Sequence, residues 1–144
     1  IRLACSKAIT DNLLVLNGDT LFEISVSELA AQHLAKKSHC TLCLKPMKEF
    51  DRYGVVEIDL QDCVTSLKEK KYYTEGNING GVYALKRSTF LNIPFPEKFS
   101  FEKDYLEKEY QKASLFGLLQ NGYFIDIGIP EDFNRAQTEL KLSH

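Results

Sequence analysis

Two segments in which β-forming residues lead straight into an aspartate beside a glycine constrain this chain most. They are residues 15–20, which contain Asp19, and residues 124–130, which contain Asp126. A buried strand of an α/β sheet reads as a nearly continuous apolar run, and its end delivers the next side chain to the edge of the sheet. Mg²⁺ favours one or two carboxylates plus substrate phosphates. The pair therefore points to phosphoryl or nucleotidyl transfer.

The composition is that of one folded domain covering residues 1–144. The chain is 44% apolar and 11% aromatic with a net charge of -2, which is enough apolar content for a core. A nucleic-acid surface needs a basic stripe, and a membrane span needs an apolar run of ~20 residues. Neither is present in the sequence. We expect no nucleic-acid and no membrane partner and, since the N-terminus lacks a signal-peptide pattern, a cytoplasmic protein.

The order of the predicted elements is typical of an α/β sheet. A helix at residues 1–9 precedes a strand at Asn12–Leu16, a helix capped by Ser25 follows, and the next strand covers residues 41–47. Strand, helix, strand is the βαβ unit of such a sheet. Shorter strands are then predicted at residues 54–58, 64–67, 81–85, 114–119 and 123–127, and helices at 87–92, at 101–112 and from Pro130.

Four cysteines, at positions 5, 40, 43 and 63, raise the question of a metal or redox site. Cys40 and Cys43 superficially offer a zinc pair. In a strand, however, an odd separation puts two side chains on opposite faces. We expect all four to be reduced packing residues. His33 and His39 flank the helix between the first two strands and are expected at its surface or edge.

Six motifs, spread over almost the whole chain, resemble one enzyme family when taken in order. They are Leu14-Val15-Leu16-Asn17-Gly18-Asp19-Thr20, Arg52-Tyr53-Gly54-Val55-Val56, Glu69-Lys70, Ile78-Asn79-Gly80-Gly81-Val82-Tyr83, Ser100-Phe101-Glu102-Lys103-Asp104 and Phe124-Ile125-Asp126-Ile127-Gly128-Ile129-Pro130-Glu131-Asp132. The family is that of the sugar-1-phosphate nucleotidyltransferases, and the resemblance is greatest to its D-glycero-α-D-manno-heptose 1-phosphate guanylyltransferase branch. It implies a three-layer, Rossmann-like α/β nucleotidyltransferase domain with a mixed central sheet.

The resemblance also implies an activity and its partners. GMP would pass from GTP to D-glycero-α-D-manno-heptose 1-phosphate, with Mg²⁺ as cofactor, giving GDP-heptose and pyrophosphate in a bacterium. Two alternatives stay open: a mannose- or glucose-1-phosphate nucleotidyltransferase, and a non-catalytic module that binds sugar phosphate. A homo-oligomer is compatible with each.

One departure from the family pattern concerns the nucleotide. The family opens with a Gly-rich loop followed by Thr-Arg-Leu, and a Pro-Lys element lies behind it, but neither is found in this sequence. The chain is therefore expected to be the C-terminal, sugar-phosphate-binding portion of a longer enzyme, without the N-terminal nucleotide-binding segment. We expect these residues to be inactive alone, and the apolar residues of the strand at 13–16 to need cover from elsewhere.

Three residues are assigned catalytic roles. Asp19 and Asp126 are the expected metal ligands, and Lys70 is expected to place its ammonium on the sugar phosphate. The alternative for each aspartate is a strand-end turn residue or helix cap. The alternative for Lys70 is a solvated member of a charged cluster.

The resemblance assigns seven further residues to the substrate. Tyr53 would form an aromatic wall, Gly54 would offer a backbone N–H, and repeated glycine permits close approach of a ligand to the backbone. Simple alternatives are a strand start at Tyr53, a bulged turn at residues 76–81, and the usual preference for acids in a first helical turn at Glu102. The residues assigned to sugar hydroxyls or to the pocket floor are Glu69, Asn79, Gly80, Gly81 and Glu102.

Overall fold

A four-stranded mixed sheet forms the centre of the computed structural model, which describes residues 1–112 and 114–140. In chain order the elements are α1 (Arg2–Lys7), β1 (Asn12–Leu16), β2 (Thr20–Phe22), α2 (Val26–Ala35), β3 (Cys40–Phe50), β4 (Val56–Ile58), β5 (Val64–Leu67), β6 (Tyr73–Lys86), α3 (Arg87–Leu91), a π-helical turn (Phe101–Leu106), α4 (Glu107–Glu109), a 3₁₀ turn (Tyr110–Lys112), β7 (Leu115–Leu119), β8 (Phe124–Asp126) and α5 (Pro130–Glu139).

The central sheet has the strand order β1-β6-β3-β7. Strand β6 runs antiparallel to both β1 and β3, whereas β7 runs parallel to β3. The predicted mixed sheet is confirmed, although β1 and β3 of the expected βαβ unit are separated by β6. Two antiparallel ribbons, β2–β8 and β4–β5, form separate two-stranded sheets that pack beside this one.

Helical segments cover both faces of the sheet, so the predicted three-layer arrangement is confirmed. On one face Leu29 of α2 packs with Cys43 and Val82. On the other face Cys5 of α1 and Phe90 of α3 belong to a separate cluster, together with the π-helical turn. In the described part of the chain, no helix has the length and apolarity needed to cross a membrane.

Strand β6 is much longer than predicted, because its glycines serve packing and not a turn. It spans 14 residues and includes the glycine-rich stretch at 76–81. A Cβ on Gly80 would lie 2.3 Å from the Phe22 ring. Gly81 has a φ of +73° and lies where the pairing of β6 with β3 changes register. The absence of side chains at these positions lets β2 approach β6 and permits a β-bulge.

Strand β1 lies at the edge of the sheet. Among the described residues its strand neighbour is β6, and its burial alternates along the strand. Leu14 is 45% exposed and Leu16 is 61% exposed. The described residues leave the face that these two leucines share uncovered, which agrees with the expectation that apolar residues of this strand need cover from elsewhere.

The cysteines follow the prediction from strand geometry. All four are free thiols, and Cys40 and Cys43 belong to different core clusters on opposite faces of the sheet. Burial raises the pKa of Cys43 to about 12. That thiol therefore stays protonated at neutral pH and behaves as an apolar packing group.

His33 is buried, which corrects the expectation of a surface or edge position. It is 2% exposed, and its Nδ1 lies 3.0 Å from the hydroxyl oxygen of Thr41 in β3. Its Nε2 has no hydrogen-bond partner among the described residues. The reason is the helical spacing, which places His33 one turn beyond Leu29 on the face of α2 that packs on the sheet.

Stability should fall in mild acid because of His33. Burial lowers the pKa of this imidazole, and the nearby positive charges of Lys86 and His39 lower it further. Below pH ~6.5 the unfolded chain then binds a proton that the folded chain does not. The free energy of unfolding should therefore decrease by up to about 1.4 kcal/mol per pH unit from this residue.

The measurement is urea unfolding between pH 7.5 and 5 for the parent, His33→Gln and the matched variant His39→Gln. The His33 variant should lose part of the parent's acid destabilisation, and the His39 variant should keep most of it, because burial is the largest cause of the lowered pKa of His33. Identical pH dependence in the parent and the His33 variant would contradict this assignment.

Candidate active site

A cavity of about 750 Å³ brings together eight of the ten predicted site residues. It lies where the β2–β8 ribbon, the segment from 51 to 56, the β5–β6 loop and the π-helical turn meet. The predicted residues that line it are Asp19, Tyr53, Gly54, Glu69, Lys70, Asn79, Glu102 and Asp126.

The β2–β8 ribbon brings the backbones of the two aspartates next to each other. Thr20 and Asp126 are register partners, and the amide of Ile127 donates to the carbonyl oxygen of Asp19 at 2.9 Å. Asp19 precedes β2 in a turn, and Asp126 is the last residue of β8. The two residues therefore meet at one end of a short ribbon, and not at strand ends of the central sheet as the sequence suggested.

The carboxylate of Asp126 is held by donors on both oxygens. The amide of Gly128 donates to Oδ1 at 2.8 Å, and the hydroxyl of Tyr53 donates to Oδ2 at 3.2 Å. Burial raises the pKa of Tyr53 to about 12, and the negative charge of Asp126 adds to that effect. The Tyr53 hydroxyl is therefore protonated at neutral pH and remains a donor to Asp126.

Arg52 adjoins the same carboxylate and was missed as a site residue by the sequence reasoning. It forms an ion pair with Asp132, and its Nη2 lies 3.6 Å from Oδ2 of Asp126. The hydrogen bond to Asp132 raises the pKa of Arg52 above its ordinary value, so the guanidinium keeps its charge. Two features of the sequence could have indicated Arg52 as a site residue: it precedes Tyr53 in one motif, and its partner Asp132 ends another motif.

Asp19 is more open than Asp126. Its Oδ1 accepts a long hydrogen bond from the hydroxyl of Thr20 at 3.3 Å. In residues 1–112 and 114–140, no group of three or more His, Cys, Asp and Glu side chains forms a metal site. A pair of aspartates nevertheless fits Mg²⁺, which completes its octahedron with substrate phosphates and water.

The loop that carries Glu69 and Lys70 is fixed by its contact with Gly54. The amide of Lys68 donates to the carbonyl oxygen of Val55 at 2.8 Å, and a Cβ on Gly54 would lie 2.2 Å from the carbonyl oxygen of Lys68. The loop can approach this closely only because residue 54 has no side chain.

The neighbouring lysines differ in their partners. Lys68 forms an ion pair with Glu57, and the Nζ of Lys71 lies 5.4 Å from the ring centroid of Tyr73. Lys70 lines the cavity and makes no ion pair within the described residues. Its ammonium is therefore available to an anion in the cavity.

Asn79 is oriented by the protein and keeps capacity for a ligand. Its amide nitrogen donates to the hydroxyl of Tyr83 at 2.9 Å, and its Oδ1 accepts from the amide of Gly81 at 3.1 Å. One N–H and one lone pair remain.

Gly80 and Gly81 are buried in β6 and do not line the cavity, which corrects their assignment to the pocket floor.

The π-helical turn contributes Glu102 and also Lys103, which the sequence reasoning did not select. The hydroxyl oxygen of Ser100 accepts from the amide of Lys103 at 3.2 Å, and Asp104 accepts from the amide of Ser100 at 2.8 Å. Asp104 is thus used as a cap. The regular helix predicted at residues 101–112 is in fact a π-helical, an α-helical and a 3₁₀ segment in succession.

Comparison with known proteins shows the family to which the chain belongs. The family profile described as Nucleotidyl transferase matches residues 2–142. The D-glycero-alpha-D-manno-heptose 1-phosphate guanylyltransferase of Aneurinibacillus thermoaerophilus is 47% identical over 141 residues, which are 98% of this chain and 61% of that protein. The protein of the same description from Campylobacter jejuni is 43% identical over 127 residues, covering 88% of this chain and 55% of the relative.

Solved structures of similar sequence have the same fold. The crystal structure of HddC from Yersinia pseudotuberculosis superposes with a TM-score of 0.85 at 33% identity, over 97% of this chain and 60% of that one. The same protein complexed with GMP-PN gives a TM-score of 0.83 at 32% identity, with the same coverage. The chain thus spans roughly three fifths of the length of these relatives.

An alanine at Gly54 should displace the loop that carries Lys70. The added Cβ would lie 2.2 Å from a backbone oxygen, and relieving such an overlap typically costs about 1–3 kcal/mol. Gly54→Ala should therefore lower the melting temperature, whereas Gly18→Ala, whose Cβ would meet nothing within 4 Å, should not. Equal melting temperatures for the two variants would show that the loop does not depend on this contact.

Proposed function

Because the chain belongs to the nucleotidyl transferase family, we propose that this protein transfers GMP from GTP to D-glycero-α-D-manno-heptose 1-phosphate and releases pyrophosphate. The sugar and the base follow from relatives of that description at 47% and 43% identity. GTP and sugar phosphates of this kind are cytoplasmic metabolites, so the cytoplasm is the proposed location.

The observation that carries the proposal is that Asp19, Asp126 and Lys70 line one and the same cavity. Two phosphorylated substrates repel each other, and a transferase must neutralise them and hold them in line. Carboxylates that hold a cation and a lysine that binds a phosphate can do both.

In the proposed reaction an oxygen of the sugar phosphate attacks the α-phosphorus of GTP. A new P–O bond forms, the bond to the bridging oxygen breaks, and pyrophosphate leaves with the electron pair. The attacking phosphate is already ionised near neutral pH, because the second pKa of a phosphate monoester is about 6. The protein therefore needs no general base, and its contribution is positioning and charge.

Each residue then has a defined part. Asp19 and Asp126 would hold Mg²⁺, which when bound neutralises phosphate charge and polarises the α-phosphate. Lys70 would bind the sugar's phosphate. Glu69 and Glu102 present acceptors that suit sugar hydroxyl groups, and Asn79 offers one donor and one acceptor in a fixed orientation.

The direct test is pyrophosphate release by the full-length protein with a panel of sugar 1-phosphates and the four nucleoside triphosphates, with and without EDTA. We expect turnover with heptose 1-phosphate and GTP, and none with EDTA. Turnover with mannose or glucose 1-phosphate in its place would assign a neighbouring member of the family. Sugar-phosphate binding without any turnover would indicate a non-catalytic module.

Loss of the Lys70 ammonium should weaken binding of the sugar phosphate more than binding of GTP. A charge-assisted contact typically contributes about 1.5–3 kcal/mol, so Lys70→Ala should raise the dissociation constant of the sugar phosphate by roughly 10-fold to 100-fold. Lys71→Ala is the matched control, since Lys71 is exposed and does not line the cavity. Titration calorimetry measures both variants, and equal affinity in the parent and Lys70→Ala would refute the assignment.

The 144 residues alone are proposed to lack this activity. Backbone N–H groups of a Gly-rich loop are a common cradle for triphosphates, and the sequence holds no such loop followed by Thr-Arg-Leu. An assay of GTP-dependent pyrophosphate release should find turnover in the full-length protein and none in these residues. Robust turnover by the isolated segment would require a phosphate site of a different kind.

A further inference from the structure

Arg52 stands between two carboxylates, one in the cavity and one outside it. Its Nη1 pairs directly with Asp132, whereas its Nη2 remains 3.6 Å from Oδ2 of Asp126. We propose that Arg52, anchored by Asp132, is a positioning residue that orients Asp126 for cation binding. This inference rests on the proposed function, which makes Asp126 a metal ligand.

Asp132, which anchors Arg52, is itself held in a fixed position. Asp132 is 9% exposed and lies in the first turn of α5, where the helix dipole favours an acid. Its second oxygen is 3.1 Å from Nη2 of Arg135. Asp132 therefore pairs with two guanidinium groups, and Arg52 is fixed at its Asp132 end.

The geometry favours orientation of Asp126 over competition for its oxygens. A carboxylate offers about four lone pairs, and the hydrogen bonds from Gly128 and Tyr53 use one on each oxygen. At 3.6 Å the contact with Arg52 is too long for a hydrogen bond. Arg52 therefore occupies no lone pair that a cation could use. Removing Arg52 would only make the orientation of the Asp126 carboxylate less restricted.

Arg52 also supports the second group that orients Asp126. Its guanidinium carbon lies 5.6 Å from the ring centroid of Tyr53, within cation–π range. The hydroxyl of that ring donates to Asp126. Loss of Arg52 would thus loosen the electrostatic contact and the hydrogen bond together.

The expected effect is weaker cation binding. Outer-shell partners of metal ligands typically change metal affinity or activity 10-fold to 100-fold. Arg52→Gln should therefore raise the dissociation constant of Mn²⁺, measured in the presence of GTP, by on the order of 10-fold. It should also lower kcat, while the KM for sugar phosphate changes less, because Lys70 binds that group.

The experiment uses the full-length protein and follows free Mn²⁺ by electron paramagnetic resonance with GTP and no sugar phosphate, so that no turnover occurs. Arg52→Gln and Asp132→Asn should both weaken Mn²⁺ binding, and Arg52→Lys should restore part of it. The double variant should bind no more weakly than Arg52→Gln alone, since Asp132 acts through Arg52. The control is Lys36→Gln, which removes an ion pair with Asp62 in the β4–β5 hairpin and should match the parent.

Melting temperatures, kcat and KM of the same variants show whether Arg52 positions Asp126 or only stabilises the fold. Lower melting temperatures with unchanged Mn²⁺ affinity and kcat would overturn the inference, as would tighter Mn²⁺ binding by Arg52→Gln or no Mn²⁺ binding by the parent. If the parent binds Mn²⁺ but releases no pyrophosphate, the proposed function fails while the comparison of Mn²⁺ affinities still decides the role of Arg52.

Discussion

The pairing of β2 with β8 is the interaction on which the candidate site depends. It joins segments more than a hundred residues apart through three register pairs, of which Thr20 with Asp126 is one. Such a short ribbon needs support from side chains. The rings of Phe22 and Phe124 meet edge to face at a centroid distance of 5.6 Å. Gly80 leaves the space that Phe22 fills, so a glycine outside the cavity lets the ribbon that carries the two aspartates pack against β6.

Some side chains of the site are held in place by hydrogen bonds, and others are free to contact a ligand. Asp126 is oriented by the hydroxyl of Tyr53 and the amide of Gly128, and Asn79 is held by Tyr83 and Gly81. Lys70 and Glu102 have no such restraint within the described part of the chain and face the same cavity. In the proposed reaction Asp126 would be a fixed cation ligand, Asn79 a fixed group for the sugar and Lys70 a free cation, an arrangement that suits two charged substrates that must bind together.

Local signals predicted the features that local interactions determine. The strand at Asn12–Leu16 and the helix cap at Ser25, whose hydroxyl accepts from the amide of Glu28, are as predicted. The motif order placed eight of the ten expected residues around one cavity. Packing between distant elements determined features that local sequence did not predict. The glycines of β6 have the sequence pattern of a turn, and their role in the strand depends on β2, which packs against them. Arg52 was missed because its significance depends on Asp132, which is 80 positions away.

The most direct test of the account is the position of a bound cation. Crystals of the full-length protein with Mn²⁺, a non-hydrolysable GTP analogue and heptose 1-phosphate would locate the metal by anomalous diffraction. We predict a Mn²⁺ peak within coordination distance of carboxylate oxygens of both Asp19 and Asp126, with the phosphate of the sugar on Lys70. A peak bound elsewhere, or carboxylates too far apart to share one ion, would contradict it.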